Sequence, residues 1–187
     1  MNLAECIRMS WCRLRRIGHS RGFGIQSPFA YRMVTEVLCQ RRPYHLYADL
    51  VSLMPDLKGN RLKVCRLLMR LANYCQSPAT FVAVDVPAEE KAYVLAGCRH
   101  TRFIDKMDGC RLVVVRATLD SVNSVLDAVH TDMVVAMTDI SEKGKPKPAW
   151  QQLKGAASAV VSFDLMDVGV VFFDPKLPHM SYQMNLG

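Results

Sequence analysis

Ala79-Thr-Phe-Val-Ala-Val-Asp85, continued by Val86-Pro-Ala-Glu-Glu90, is the stretch on which the fold turns. A short apolar, β-branched run entered from Ser77-Pro78 and closed by a carboxylate reads as a buried strand. Pro87 suits a helix N-terminus, and Glu89 and Glu90 fall in the first turn, where the helix dipole favours acids; the helix runs on to Gly97. In an α/β domain that holds a nucleotide this turn is rich in glycine. Small residues let the backbone approach the ligand, and the helix start offers free N–H groups. No glycine lies between Asn60 and Ala96. The sequence therefore predicts the strand and the helix without the phosphate cradle.

Downstream, Arg102-Phe-Ile-Asp105 reads as a weak strand and Arg111-Leu-Val-Val-Val-Arg116 as a firm one. Only residues 106–110 separate them. Parallel neighbours need a crossover of about a dozen residues, so the expectation is a hairpin through Asp108-Gly109, or a weaker segment left outside the sheet. About one βα unit of a doubly wound sheet is expected to be missing. The alternation then resumes, with a helix from Leu119 to Val129 that places Leu119, Val122, Leu126 and Val129 on one face. A buried strand spans Asp132 to Asp139. Glu142 to Pro148 is a polar loop, and a short helix carries Trp150 and Leu153. Ala159–Leu165 and Gly169–Phe173 are spaced to pair as an antiparallel hairpin.

Upstream the periodicity is helical. Leu3, Ile7, Trp11 and Leu14 make one apolar stripe, with Arg8, Arg15 and Arg16 off it. Gly18-His-Ser-Arg-Gly-Phe-Gly24 breaks that helix and follows no strand, which argues against a phosphate loop. Ser27 reads as an N-cap with Pro28 at the first helical position, opening a helix to about Cys39. A further short piece begins at Pro43-Tyr-His-Leu-Tyr47. From Arg61 to Cys75, Val64, Leu68, Leu71 and Cys75 form a buried stripe, while Lys63, Arg66 and Arg70 form a basic one. The organisation expected is a basic helical N-terminal extension over residues 1–76 and a Rossmann-like α/β domain over 77–187.

Charge is divided unevenly. Residues 1–70 hold 13 Lys/Arg against four Asp/Glu, whereas the other 117 hold 11 against 13. A basic front is either a solvated helical face or a surface for nucleic acid, an acidic partner or a membrane. The seven cysteines are odd in number and scattered, with no C-x-x-C pair, which points to reduced core thiols in the cytoplasm and away from a disulfide framework or zinc site. The five histidines show no metal-ligand spacing, so no metal is expected. There is no G-x-S-x-G and no cysteine in a nucleophile context, so no catalytic residue is assigned. No apolar run approaches the length of a transmembrane helix.

Strand, helix, strand, helix and a closing antiparallel hairpin resemble the topology of class I S-adenosylmethionine-dependent methyltransferases. Gly22-Phe-Gly-Ile-Gln-Ser-Pro-Phe-Ala30, Leu67-Leu-Met-Arg-Leu-Ala-Asn-Tyr74, Asp139-Ile140, Trp150 and Ser162-Phe-Asp-Leu-Met-Asp-Val-Gly-Val-Val-Phe-Phe173 are similar to landmarks of a bacterial group of such proteins that carry a helical N-terminal extension. Most of the chain is covered. That group has His where Gln26 stands, and a Glu-x-Gly turn where this chain reads Asp85-Val-Pro-Ala-Glu89.

The resemblance implies a mostly parallel Rossmann-like sheet and S-adenosylmethionine as cofactor. It places Asp85 near the cofactor's methionine end and Asp139, preceded by Thr138, where the group often has paired aspartates. Asp105 lies 20 residues beyond Asp85, about the spacing at which an acid meets ribose hydroxyls. The three carboxylates could border one crevice at the strand ends, or each could be a solvated turn residue. The missing glycines imply a methyltransferase-like protein with impaired or lost cofactor binding. The alternative is a non-catalytic scaffold, working through a homodimer surface or through binding of nucleic acid or an acidic partner by residues 1–70.

Overall fold

The computed structural model describes residues 24–186. The expected stripe from Leu3 to Leu14 and nearly all of the Gly18–Gly24 break lie outside them. Helix α1 (Pro28–Arg32) opens on Ser27, whose Oγ accepts from the Ala30 amide at 3.4 Å, and continues as a π-helical segment, Met33–Leu38. Helices α2 (Leu46–Leu53) and α3 (Gly59–Cys75) follow. The body then runs β1 (Ala79–Val82), α4 (Ala88–Gly97), β2 (Arg102–Ile104), β3 (Leu112–Arg116), α5 (Leu119–Asp127) and β4 (Val134–Thr138). A two-stranded ribbon, β5 (Ser141–Glu142) and β6 (Lys145–Pro146), precedes α6 (Pro148–Gly155), and β7 (Val161–Asp164), β8 (Val168–Phe172) and β9 (Met180–Gln183) complete the chain.

One seven-stranded sheet has the order β2-β1-β3-β4-β8-β7-β9. β2, β1, β3 and β4 are mutually parallel, and β8 is antiparallel to both β4 and β7. The fold is thus α/β with a mixed, mostly parallel sheet, compatible with a Rossmann-like fold, and the hairpin expected from Ala159 to Phe173 is present. β9, parallel to β7, was not foreseen. Its Tyr182 ring stacks on Phe163 with centroids 5.3 Å apart.

The expectation for residues 102–116 is corrected. β2 and β3 form no hairpin, and neither lies outside the sheet; they pair with opposite edges of β1, both parallel to it. Register explains how so short a connection suffices. Phe81 is level with both Ile104 and Val113. The chain leaving Ile104 therefore descends only about two residues and crosses two strand spacings, a distance of roughly 12 Å. Residues 105–111 reach about 24 Å when extended. The crossover rule presumes strands of ordinary length, and β2 has three residues.

Alternation along the buried strands divides the core into two layers. Leu112 and Val114 face a cluster built with α3, α4 and the π-helical segment, whereas Val113 and Val115 face α5, α6 and the Met107–Cys110 loop. The helices before residue 76 thus share an apolar cluster with the sheet. Two glycines permit close approach. A Cβ on Gly97 would stand 2.2 Å from the Met69 carbonyl oxygen, so glycine lets α4 lie against α3. A Cβ on Gly169 would fall 2.4 Å from the Trp150 ring. Trp150 is fully buried across β8, and its Nε1–H donates to Asp164 Oδ2 at 3.2 Å.

Two helical phases differ from expectation. On α5 Val122 is buried, and Leu126 and, just past the helix end, Val129 pack partly buried against the same cluster as expected, but Leu119 is exposed and Val125 is buried as well. Arg70, expected on a basic outer stripe, is buried: Nε donates to Val37 O at 2.6 Å, Nη2 to Leu38 O at 2.9 Å and Nη1 to Tyr47 Oη at 3.3 Å. The end of the π-helical segment leaves carbonyls without helical partners, and a planar, multiply donating guanidinium satisfies them.

Candidate functional site

The carboxyl ends of parallel strands, where open α/β sheets receive ligands, carry all three candidate aspartates. Asp85 lies in the turn after β1 and is exposed; Asp105 follows β2 and is exposed. Asp139 follows β4 in the left-handed region, φ +60°, where a short polar side chain is tolerated. Its Oδ2 accepts from Arg116 Nη2 at 2.9 Å and from Lys147 Nζ at 2.6 Å. The three therefore share an edge, but Asp139 is engaged by local cations, and β3 stands between it and the other two.

The turn itself is tight. The Val86 amide donates to Ala83 O at 3.1 Å, and the Lys91 ammonium reaches Val84 O at 3.0 Å. Val84 projects into solvent at 95% exposure, whereas Val86 is buried. Helix α4 begins at Ala88 with Glu89 and Glu90 in its first turn. Their roles diverge. Glu89 pairs with Arg61 on α3, while Glu90 turns inward and is 8% exposed.

Glu90 is the principal residue that the search for strand-end aspartates misses. Burial pushes its carboxyl up to about 7, against the pull of the nearby Arg116 guanidinium, with Glu89 adding to the rise. Its Oε2 and the neighbouring Thr138 Oγ1 are both buried without a hydrogen bond of good geometry, although the Thr138 hydroxyl still pulls the carboxyl down against the effect of burial. The signal was present in the periodicity: Glu90 shares the inward face of α4 with Tyr93, Val94 and Gly97. Lys147, the other missed member, reaches Asp139 because the β5–β6 ribbon folds back so that the Lys147 amide donates to Ile140 O at 2.7 Å.

Two cavities open at this edge. One of about 310 Å³ is bordered by residues 53–57, Arg61 and Glu89; the other, about 240 Å³, lies between the start of α3 and residues 165–167. Neither is lined by Asp85, Asp105 or Asp139. Among the described residues no group of three or more His, Cys, Asp or Glu is placed to hold a metal ion, and no helix is long and apolar enough to cross a membrane. Cys65, Cys75, Cys98 and Cys110 are buried free thiols, and burial pushes Cys65 and Cys75 up to about 12.

These features define a class of protein: an open, mostly parallel α/β sheet with a polar carboxyl edge. Comparison with protein-family models, with curated proteins and with solved structures finds no match for this chain.

Proposed function

We propose that this chain is a methyltransferase-type α/β protein in which binding of S-adenosylmethionine is impaired or lost. The observation that carries this reading is the strand order, in which an antiparallel hairpin closes a parallel sheet by slotting β8 between β4 and β7. The landmark residues of the resemblance fit the same view as structural devices. Ser27 caps α1, and Trp150 packs over Gly169.

The residues at the carboxyl edge are poorly suited to the methyl donor. Side chains at Val84, Asp85 and Val86 occupy the turn where glycines would admit a nucleotide. Both acids of the first turn of α4 are already engaged, Glu89 with Arg61 and Glu90 in the interior, so neither is presented at that turn to meet a ligand's hydroxyl or ammonium groups. Asp139 is already bound by two cations. No catalytic step is assigned to this edge.

Calorimetric titration of the full chain with S-adenosylmethionine and S-adenosylhomocysteine tests the reading. The expected result is no binding tighter than about 1 mM, or roughly −4 kcal/mol. Micromolar binding would overturn the impaired seat.

The second reading is a non-catalytic scaffold that contacts nucleic acid or an acidic partner through residues 1–70, and it is favoured by the concentration of positive charge there. A dimer surface belongs to the same reading; sedimentation of the full chain as a monomer would remove it.

A further inference from the structure

The opposite, amino edge of the sheet carries a different set of groups. Register places Arg102 level with Ala79, and Leu112 level with Thr80, so Arg111 is also level with Ala79. Two arginines thus flank β1 at one height, about 10 Å apart from strand spacing. Arg99 and His100, just before β2, are exposed, as is Arg102, and no acid occurs between Gly97 and Ile104.

On the other side, Arg111 is held by donation from Nη1 to Cys75 O at 2.9 Å, with its guanidinium 5.9 Å from the centroid of the Tyr74 ring. Tyr74 is 37% exposed. It also borders a cavity of about 300 Å³ whose floor is Phe29 and Met33 and whose rim includes Arg32 and Glu36. Met33 and Glu36 belong to the π-helical segment, a conformation found frequently at functional sites.

The strip is predominantly positive. Glu36 stands 4.0 Å from Arg32, both side chains well exposed, and such a pair is weak. Asp132 lies beyond Arg111, just before β4.

We infer that this amino edge binds single-stranded nucleic acid, with Tyr74 as a stacking platform beside its cavity and Arg32, Arg99, Arg102 and Arg111 as phosphate ligands. The combination suits this partner above others. Aromatic faces flanked by guanidinium groups accept any base, and a basic track follows the backbone. The recess beside Tyr74 takes a base turned out of a stack, which a duplex does not offer. A ring-free acidic chain such as polyglutamate brings no planar group to it, and a flat membrane does not enter it. The surface joins a cavity lined mostly from residues 28–36 to Tyr74, Arg99, Arg102 and Arg111 beyond residue 70, and it lies away from the carboxyl edge, so it stands whether or not that edge binds a cofactor.

The test is fluorescence anisotropy of the full chain with a labelled single-stranded oligoribonucleotide between about 50 and 200 mM salt, with the duplex alongside. Four phosphate contacts predict a log–log salt slope of about −3. The Arg99→Ser/Arg102→Ser double substitution, on exposed positions, flattens that slope by about 1.4. Tyr74→Leu weakens binding about tenfold with the slope unchanged. Neutralising Arg13, Arg15 and Arg16 leaves the Tyr74 effect in place. Thermal unfolding of each variant verifies the fold.

Any of the following outcomes overturns the inference. One is no retention of the oligonucleotide at about 50 mM salt. Another is binding indifferent to Tyr74→Leu and to the double substitution in folded protein. The third is equal affinity for the duplex, or Tyr74- and Arg102-dependent binding of phosphatidylserine vesicles or polyglutamate in place of RNA.

Discussion

Replacing Glu90 with glutamine should make the protein more stable at neutral pH and change how its stability depends on pH. The Glu90 carboxyl is raised from 4.5 to about 7 by burial. Between those values the folded state holds the proton more tightly than the unfolded chain. The stabilisation associated with the protonated group is therefore complete below about pH 4.5 and is lost as pH rises through 7. At about 1.4 kcal/mol per unit, the window sets an upper figure near 3 kcal/mol. Relaxation around Arg116 lowers the realised value to about 1–3 kcal/mol. Glutamine keeps the shape and cannot ionise. Urea unfolding of parent and Glu90→Gln across this range should give curves that nearly coincide near pH 4.5 and separate to about 1–3 kcal/mol in favour of the variant near pH 8. A difference that stays constant over the range, or favours the parent at high pH, refutes the reasoning that Glu90 is held desolvated under Thr138.

The other substitutions probe packing and pairing. Gly169→Ala drives a methyl group into the Trp150 ring and should cost about 1–3 kcal/mol in urea unfolding. Arg70→Met removes three donors from Val37, Leu38 and Tyr47; two buried carbonyls lose their partners, for a cost of about 3 kcal/mol, accompanied by faster amide exchange in the π-helical segment. Asp139→Asn loses charge from two partly exposed ion pairs while keeping a residue that tolerates positive φ, so the loss should stay below about 1–2 kcal/mol by thermal unfolding.

What was legible in the sequence was what depends on short-range pattern. The continuous apolar runs Leu112–Val115 and Val134–Met137 placed both strands, and Ser27-Pro28 placed a helix start. Residues whose role depends on distant partners were not legible. Arg70 sits at a spacing that suits an outer stripe, and only the carbonyls of Val37 and Leu38, more than 30 residues away, draw it inward. The path of residues 105–111 depends on register against β1, which no local signal encodes. β9 follows Pro178 and His179, and its one buried side chain, Tyr182, gains its place only by stacking on Phe163.

At the candidate site the strand-end positions of Asp85, Asp105 and Asp139 were readable from strand boundaries. The capture of Asp139 by Lys147 was not, because it requires the β5–β6 ribbon to fold back. Glu90 could have been found by continuing the inward stripe of α4 back from Gly97 through Val94 and Tyr93. It was hidden because acids in a first helical turn already have a sufficient explanation in the dipole.

The most direct measurement of the central claim is an amide correlation spectrum of isotope-labelled protein titrated with S-adenosylhomocysteine. Impaired or lost cofactor binding predicts that the amides of residues 83–86, 105 and 139 keep their positions up to about millimolar ligand. Saturating shifts confined to those residues at micromolar ligand would contradict it.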